Sequence, residues 1–255
     1  MKEKKGNIIQ TVAGLVILIV GIVLCVNTYV VKGNKAYAVS LLTAIVGAVI
    51  LISGLYSLFS KNEKKPIDAK VIAQAALCDA LCYVGATFIK IDIPVGTERT
   101  MFHFGNVFCV LAALLLGGTW GGLAGAVGMT ISDLTTAYVT SAPKTFFLKL
   151  CIGLIVGFVA HRLFKLSKEH SVKYVTIATV VSSVCGMLFN IVADPIVGYF
   201  YKTYLLGVPQ DLAKALAKVG AVTTSVNAVI AVVVASIIYL ALRPVMKKSD
   251  MLRDL

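Results

Sequence analysis

Long apolar runs alternate with short polar breaks along the whole chain. A membrane-spanning helix needs about 20 mostly apolar residues. Eight stretches approach or exceed that length, at 8–31, 36–60, 67–89, 103–117, 119–140, 145–164, 171–200 and 212–243. The pattern predicts eight helices. The fourth is short and runs into a glycine-rich corner, Gly117-Gly118-Thr119-Trp120-Gly121-Gly122. The last two are long enough to tilt or to take in an interfacial turn. One segment reads as a linker, Lys61-Asn62-Glu63-Lys64-Lys65-Pro66, which is polar and closed by proline. It separates an N-terminal transmembrane hairpin (1–60) from a substrate-binding core (61–255) whose six helices occupy 67–248. The expected fold class is all-α, a polytopic membrane protein.

Composition agrees. Charged residues make up 14% of the chain and apolar ones 58%, with a mean hydropathy of +0.91. A soluble domain averages about 25% charged residues, so an ordinary cytosolic globule is excluded. Abundant apolar residues exclude disorder. Lys and Arg number 24 against 12 Asp and Glu, a net charge of +12. In a soluble chain that excess would suggest nucleic acid, but here the basic residues gather in short loops, where they encode orientation. Alternating the loops puts 15 basic residues on the side of the N-terminus and nine on the other. Both termini are therefore expected in the cytoplasm, with the chain in the cell membrane. Met1-Lys2-Glu3-Lys4-Lys5 and Ala36-Tyr37-Ala38 resemble parts of a signal peptide. The apolar run between them is too long for a signal peptide's core of about 7–15 residues, so an uncleaved helix is expected.

Polar groups at membrane depth are expensive and mark function by default. The core contains Asp79, Asp133, Lys149 and Asp194, with Asn106, Asn190 and Asn227 beside them. At a rise of about 1.5 Å per residue, Asn106, Lys149, Asp194 and Asp133 fall within roughly 5–11 Å of the outer surface. Asp79 and Asn190 lie near 15 Å, and Asn227 is deepest. That distribution predicts a polar cavity opening outward. The bland alternative is internal: Lys149 pairs with Asp133 or Asp194 to pin helices, and Asn190 and Asn227 are interhelical hydrogen-bond glue. Tyr199, Tyr201 and Tyr204 read as an interfacial aromatic belt. The six cysteines all lie in apolar stretches and imply packing rather than a disulfide or metal framework. No metal or cofactor is expected.

Small residues form two stripes. Ala69, Ala73, Ala76 and Ala80 share one face of the first core helix, and Gly117, Gly121, Gly125 and Gly128 run through the corner into the next helix. Such faces let backbones approach closely, within the chain or between chains.

The block from His103 to Gly157 resembles the substrate-binding S components of energy-coupling factor (ECF) vitamin transporters. The matching features are His103-Phe104-Gly105-Asn106, the glycine-rich corner, Ser132-Asp133-Leu134 before Tyr138, and Ala142-Pro143-Lys144-Thr145-Phe146 running to Lys149. Ala76-Leu77-Cys78-Asp79-Ala80 is similar to the AxxxA element of that superfamily, with an unusual aspartate inside it. The nearest subgroup is the one that takes hydroxymethylpyrimidine, pyridoxine or riboflavin. The resemblance implies a six-helix subunit that binds a small water-soluble vitamin or precursor from outside. The polar groups near the outer surface, Asn106, Asp133, Lys149, Asn190 and Asp194, are the expected substrate contacts of such a pocket. The resemblance also implies a membrane T component docked at Ala76 and Ala80, and two cytosolic ATPases. The N-terminal hairpin is not typical of the family.

Two other classes fit the residues less well. The chain contains no P-loop, so ATP coupling must come from other chains. An ion-coupled secondary permease with Asp133 and Asp194 as coupling carboxylates is the alternative, disfavoured by the small core and the lack of inverted repeats. An intramembrane hydrolase built on the same aspartates lacks the motifs such enzymes carry, so the chain is expected not to be an enzyme.

Overall fold

The computed structural model describes residues 2–28, 35–59, 69–249 and 251–252. The predicted linker, and with it the boundary between 1–60 and 61–255, lies outside the described residues. Seven helices are present among them: α1 (Lys2–Thr28), α2 (Lys35–Phe59), α3 (Ala69–Thr87), α4 (Gly105–Thr135), α5 (Ala142–Gly157), α6 (Val172–Phe200) and α7 (Gln210–Lys248). Seven segments among the described residues are long and apolar enough to cross a membrane, one for each helix, that of α5 taking in the turns on either side of it (Val139–Leu163). The protein is an all-α polytopic membrane protein.

Seven helices replace the expected eight because the fourth and fifth stretches are the two arms of α4. Its break is Gly117, at φ 80° and ψ 175°, a region open essentially to glycine alone. There the chain doubles back. A Cβ on Gly121 would lie 2.3 Å from the Cα of Ala113, eight positions away; in a straight helix those residues stand about 12 Å apart. Gly125 meets Cys109 in the same antiparallel manner, and Gly128 lies against the backbone of Asp79 on α3. The glycine stripe is thus consumed by packing within the chain.

The core is centred on this doubled helix. Leu114, Leu116, Ile152, Val156, Met187, Ala231 and Tyr239 are fully buried around it. The N-terminal pair α1 and α2 forms a tight antiparallel hairpin in which Gly14 abuts the backbone of Leu51 and Gly47 that of Leu18. Its outward side chains, such as Ile9, Val16 and Val23, are exposed as lipid-facing residues must be.

One element departs from the all-helical expectation. Residues read as an outer loop form a two-stranded antiparallel hairpin, β1 (Lys90–Val95) and β2 (Glu98–His103). Val95 faces Glu98, leaving Gly96-Thr97 as a two-residue turn with Gly96 at φ 60°. Glycine at the first turn position suits the turns that match strand twist. Consequently α4 begins at Gly105 rather than at His103.

Candidate functional site

The β-hairpin closes one end of the bundle, and beneath it lies a cavity of about 120 Å³. All five residues singled out for substrate contact line it: Asn106 and Asp133 from the two arms of α4, Lys149 from α5, Asn190 and Asp194 from α6. Reversal at Gly117 is what brings Asn106 and Asp133 to the same end. Asp133, Lys149, Asn106 and Asn190 are each no more than 7% exposed.

The pairing inside the cavity differs from the ion pair that the internal alternative gives Lys149. Its Nζ donates to Asn106 Oδ1 at 2.8 Å, and no carboxylate lies within salt-bridge range of it among the described residues. Asp194 is held instead by Lys144, at 2.7 Å, and by the Thr224 hydroxyl, at 2.8 Å. Asp133 accepts from the Thr145 hydroxyl at 2.5 Å through Oδ2. Buried Asn190 Oδ1 has no hydrogen-bond partner. A buried acceptor left unmade costs about 1–3 kcal/mol, a cost that a donor on a bound molecule removes.

Asn227 is not the deepest polar group. Its amide donates to the Met101 carbonyl and its Oδ1 accepts from the His103 N–H, both at 3.1 Å. It therefore stands level with the base of the β-hairpin. The misplacement comes from the length of α7, 39 residues or about 58 Å, whose first turns extend well beyond the thickness of a bilayer core. Asp79 does not line the cavity; its Oδ1 is buried and unpaired.

The hairpin is tied down on three sides. The Tyr138 hydroxyl lies 2.8 Å from Asp92 Oδ1 and 3.1 Å from the Thr100 carbonyl. Thr100 and Thr223 share a 3.0 Å hydroxyl contact, and Lys202 pairs with Glu98 at 3.0 Å. Burial works to raise the Asp92 carboxyl, yet the Tyr138 hydroxyl and the Lys90 ammonium hold it below the usual carboxylate range. The cavity thus has a roof of Arg99, Thr100, Met101 and His103.

Reading the sequence for buried charge missed Lys144, Thr145, Thr224 and the hairpin. Lys144 stands in the Ala142-Pro143-Lys144 motif, where the apolar pattern places a loop. The hairpin was signalled by alternating Ile91, Ile93 and Val95 before Gly96. Tyr201, read as part of an aromatic belt, is buried, and its hydroxyl donates to the Thr140 carbonyl at 2.7 Å. Ala69, Ala73, Ala76 and Ala80, in contrast to the glycines, are all exposed on α3.

Comparison with known proteins bears on this arrangement. An uncharacterized protein in the gap 3′ region of Pyrococcus woesei is 34% identical over 74 residues, 29% of this chain and 49% of that protein. The chain thus spans about half the length of that curated relative. No solved structure matches. The family model for the ECF-type riboflavin transporter S component matches residues 67–244, from before α3 to the last turn of α7. With its doubled central helix and polar cavity inside a membrane bundle, the chain belongs to the ECF-type riboflavin transporter S component family.

Proposed function

We propose that this protein captures a small water-soluble vitamin or vitamin precursor from outside the cell, as the substrate-binding subunit of an ATP-driven ECF importer. The observation that carries the reading is the cavity itself. Lys144, Lys149, Lys202, two aspartates and an unpaired asparagine oxygen converge at one end of a bundle that exposes many large apolar side chains elsewhere. Their roles divide by geometry. Lys149, oriented by Asn106, offers its remaining N–H groups to an acceptor on the ligand. Asn190 and the free oxygen of Asp133 take ligand donors. Asp194 is occupied by Lys144 and Thr224 and shapes one wall. The two-sided lining suits a neutral heteroaromatic compound with hydroxyl or ring N–H groups.

The hairpin end faces outward in this reading, with both termini in the cytoplasm as the basic asymmetry requires. A T component docks on α3 at Ala76 and Ala80, and two cytosolic ATPases supply the energy. The subunit binds without catalysing. The family description supports this scheme, and it makes riboflavin the first ligand to test.

The test is direct. Native mass spectrometry of the purified full chain should show a co-purified ligand, and riboflavin titration should report binding through flavin fluorescence. Lys149→Ala and Asn190→Leu, each with a native-like melting profile, should weaken binding at least tenfold, about 1.4 kcal/mol. Folded variants that bind as tightly as the native chain would remove the cavity from the function. Uptake that follows ATP and resists ionophores fits an ECF importer; uptake that collapses with ionophore would favour the ion-coupled permease.

A further inference from the structure

The α1–α2 hairpin is extra to the matched core, which starts at residue 67, yet it is attached at one telling place. Tyr37, at the start of α2, is 4% exposed and packs against Tyr201 and Leu206, with Cys25 and Leu41 closing the cluster. Tyr201 belongs to a single π-helical turn, Tyr201–Leu205, that follows α6. That turn reaches the cavity mouth twice. The Tyr201 hydroxyl holds the Thr140 carbonyl at 2.7 Å, in the 3-10 turn Val139–Ser141 whose Ser141 lines the cavity. The next residue, Lys202, lines the cavity and pairs with Glu98 of the β-hairpin.

We propose that the α1–α2 hairpin is a brace for the cavity mouth, in which Tyr37 positions Tyr201 and thereby the rim and roof that retain a bound ligand. Tyr37 and Tyr201 are positioning residues; neither lines the cavity. The physical basis is leverage on one shared element. A π-helical turn is a rare single-turn irregularity, found frequently at functional sites, and here it is the shared anchor of both the rim and the roof. The helix hairpin is well suited to support it. Its two helices meet backbone to backbone at Gly14, Gly21 and Gly47, so it presents Tyr37 from a stiff base.

Retention of a ligand rests on the function proposed above, but the brace can be read without a ligand. Ser141→Cys in the purified full chain serves as a reporter, labelled with a bulky maleimide, and each variant is compared with the same variant lacking Ser141→Cys, because Cys25 packs beside Tyr37. Tyr37→Ala should raise its labelling rate several-fold. Tyr201→Phe removes only the hydroxyl and should also speed labelling. If riboflavin binds, its release should accelerate in the same two variants, with the cavity side chains untouched. Unchanged labelling in Tyr201→Phe and in folded Tyr37→Ala would overturn the brace. If Tyr37→Ala fails to fold, Tyr201→Phe alone decides. A native chain that does not bind riboflavin would count against that ligand, while the labelling rates would still decide the brace.

Discussion

A lysine and an aspartate in the same cavity do not have to pair, and here the protein separates them. Lys149 is given a neutral partner, Asn106, while Asp194 is matched by Lys144 and Thr224. The Lys144–Asp194 pair is the structural one, at 14% and 22% side-chain exposure. Removing one partner of a buried pair costs about 3–5 kcal/mol. The slight exposure puts Lys144→Ala near the lower end, read as a lowered midpoint in thermal unfolding. Adding Asp194→Ala should restore part of the loss, because the stranded charge is gone; a strictly additive double variant would deny the coupling. The Asp92–Tyr138 tie gives a pH expectation. A carboxyl held below its unfolded value stabilises the fold above that value and loses its contribution as pH falls through the lowered one. Hairpin closure should therefore be insensitive to Asp92 between about pH 5 and 8, and Tyr138→Phe should loosen it there; the rate at which a hairpin thiol such as Thr97→Cys is labelled would check both. Asn106, Asp133, Lys149, Asn190 and Asp194 were legible as candidates because polar groups inside apolar runs are costly. Lys144 was not, because a lysine near a helix end is ordinarily free to reach water along its stem.

Elements were legible wherever one rule decided them. Apolar run length found every helix, and the glycine-rich corner was recognised as a corner. Whether that corner ends one helix and begins another turned on the backbone of Gly117, which no hydrophobic pattern reveals. The residue now makes a sharp test. At φ 80° and ψ 175° a side chain is strained by about 1–3 kcal/mol, so Gly117→Ala should reduce folded yield. Gly121→Leu should be worse, since even its Cβ would sit 2.3 Å from the Ala113 Cα and 2.4 Å from the Ala112 carbonyl oxygen. Fluorescence-detected size-exclusion profiles of the two variants would rank them. A monodisperse Gly121→Leu at native yield would contradict the doubled-back geometry. The β-hairpin escaped notice for the opposite reason. Six-residue strands are short, and Lys90–Val95 carries a proline, which usually argues against a strand. Pro94 is tolerated because the sheet has only two strands, leaving one side of each without a partner.

For the whole molecule, the two small-residue stripes resolve into opposite fates. Every glycine of the second stripe is buried, and Gly121, Gly125 and Gly128 meet atoms of α3 or α4. The alanines Ala69, Ala73, Ala76 and Ala80 are all exposed among the described residues. Small side chains offer little dispersion to lipid, but they let a second helix approach backbone to backbone. Both stripes looked alike in sequence, because helical spacing states which residues share a face and not what that face meets. Family membership supplies the expected occupant, a membrane T component, and the cavity supplies the control. Ala76 and Ala80 do not line it, whereas Gly128, near the middle of α4's second arm, already packs against the inward side of the same α3 turn at Asp79. Tryptophan at both alanines should therefore wedge the partner helix away without reaching the ligand. In the double variant Ala76→Trp with Ala80→Trp, co-purification with the T component and uptake should both be lost, while the isolated chain binds its ligand with unchanged affinity. Asp79 stands between the two positions, so a single Ala76→Trp, one turn from Ala80, serves as the milder check and should weaken assembly alone. Lost binding with an intact complex would show that the outward face of α3 serves the cavity after all, and the docking surface would have to be sought on another helix.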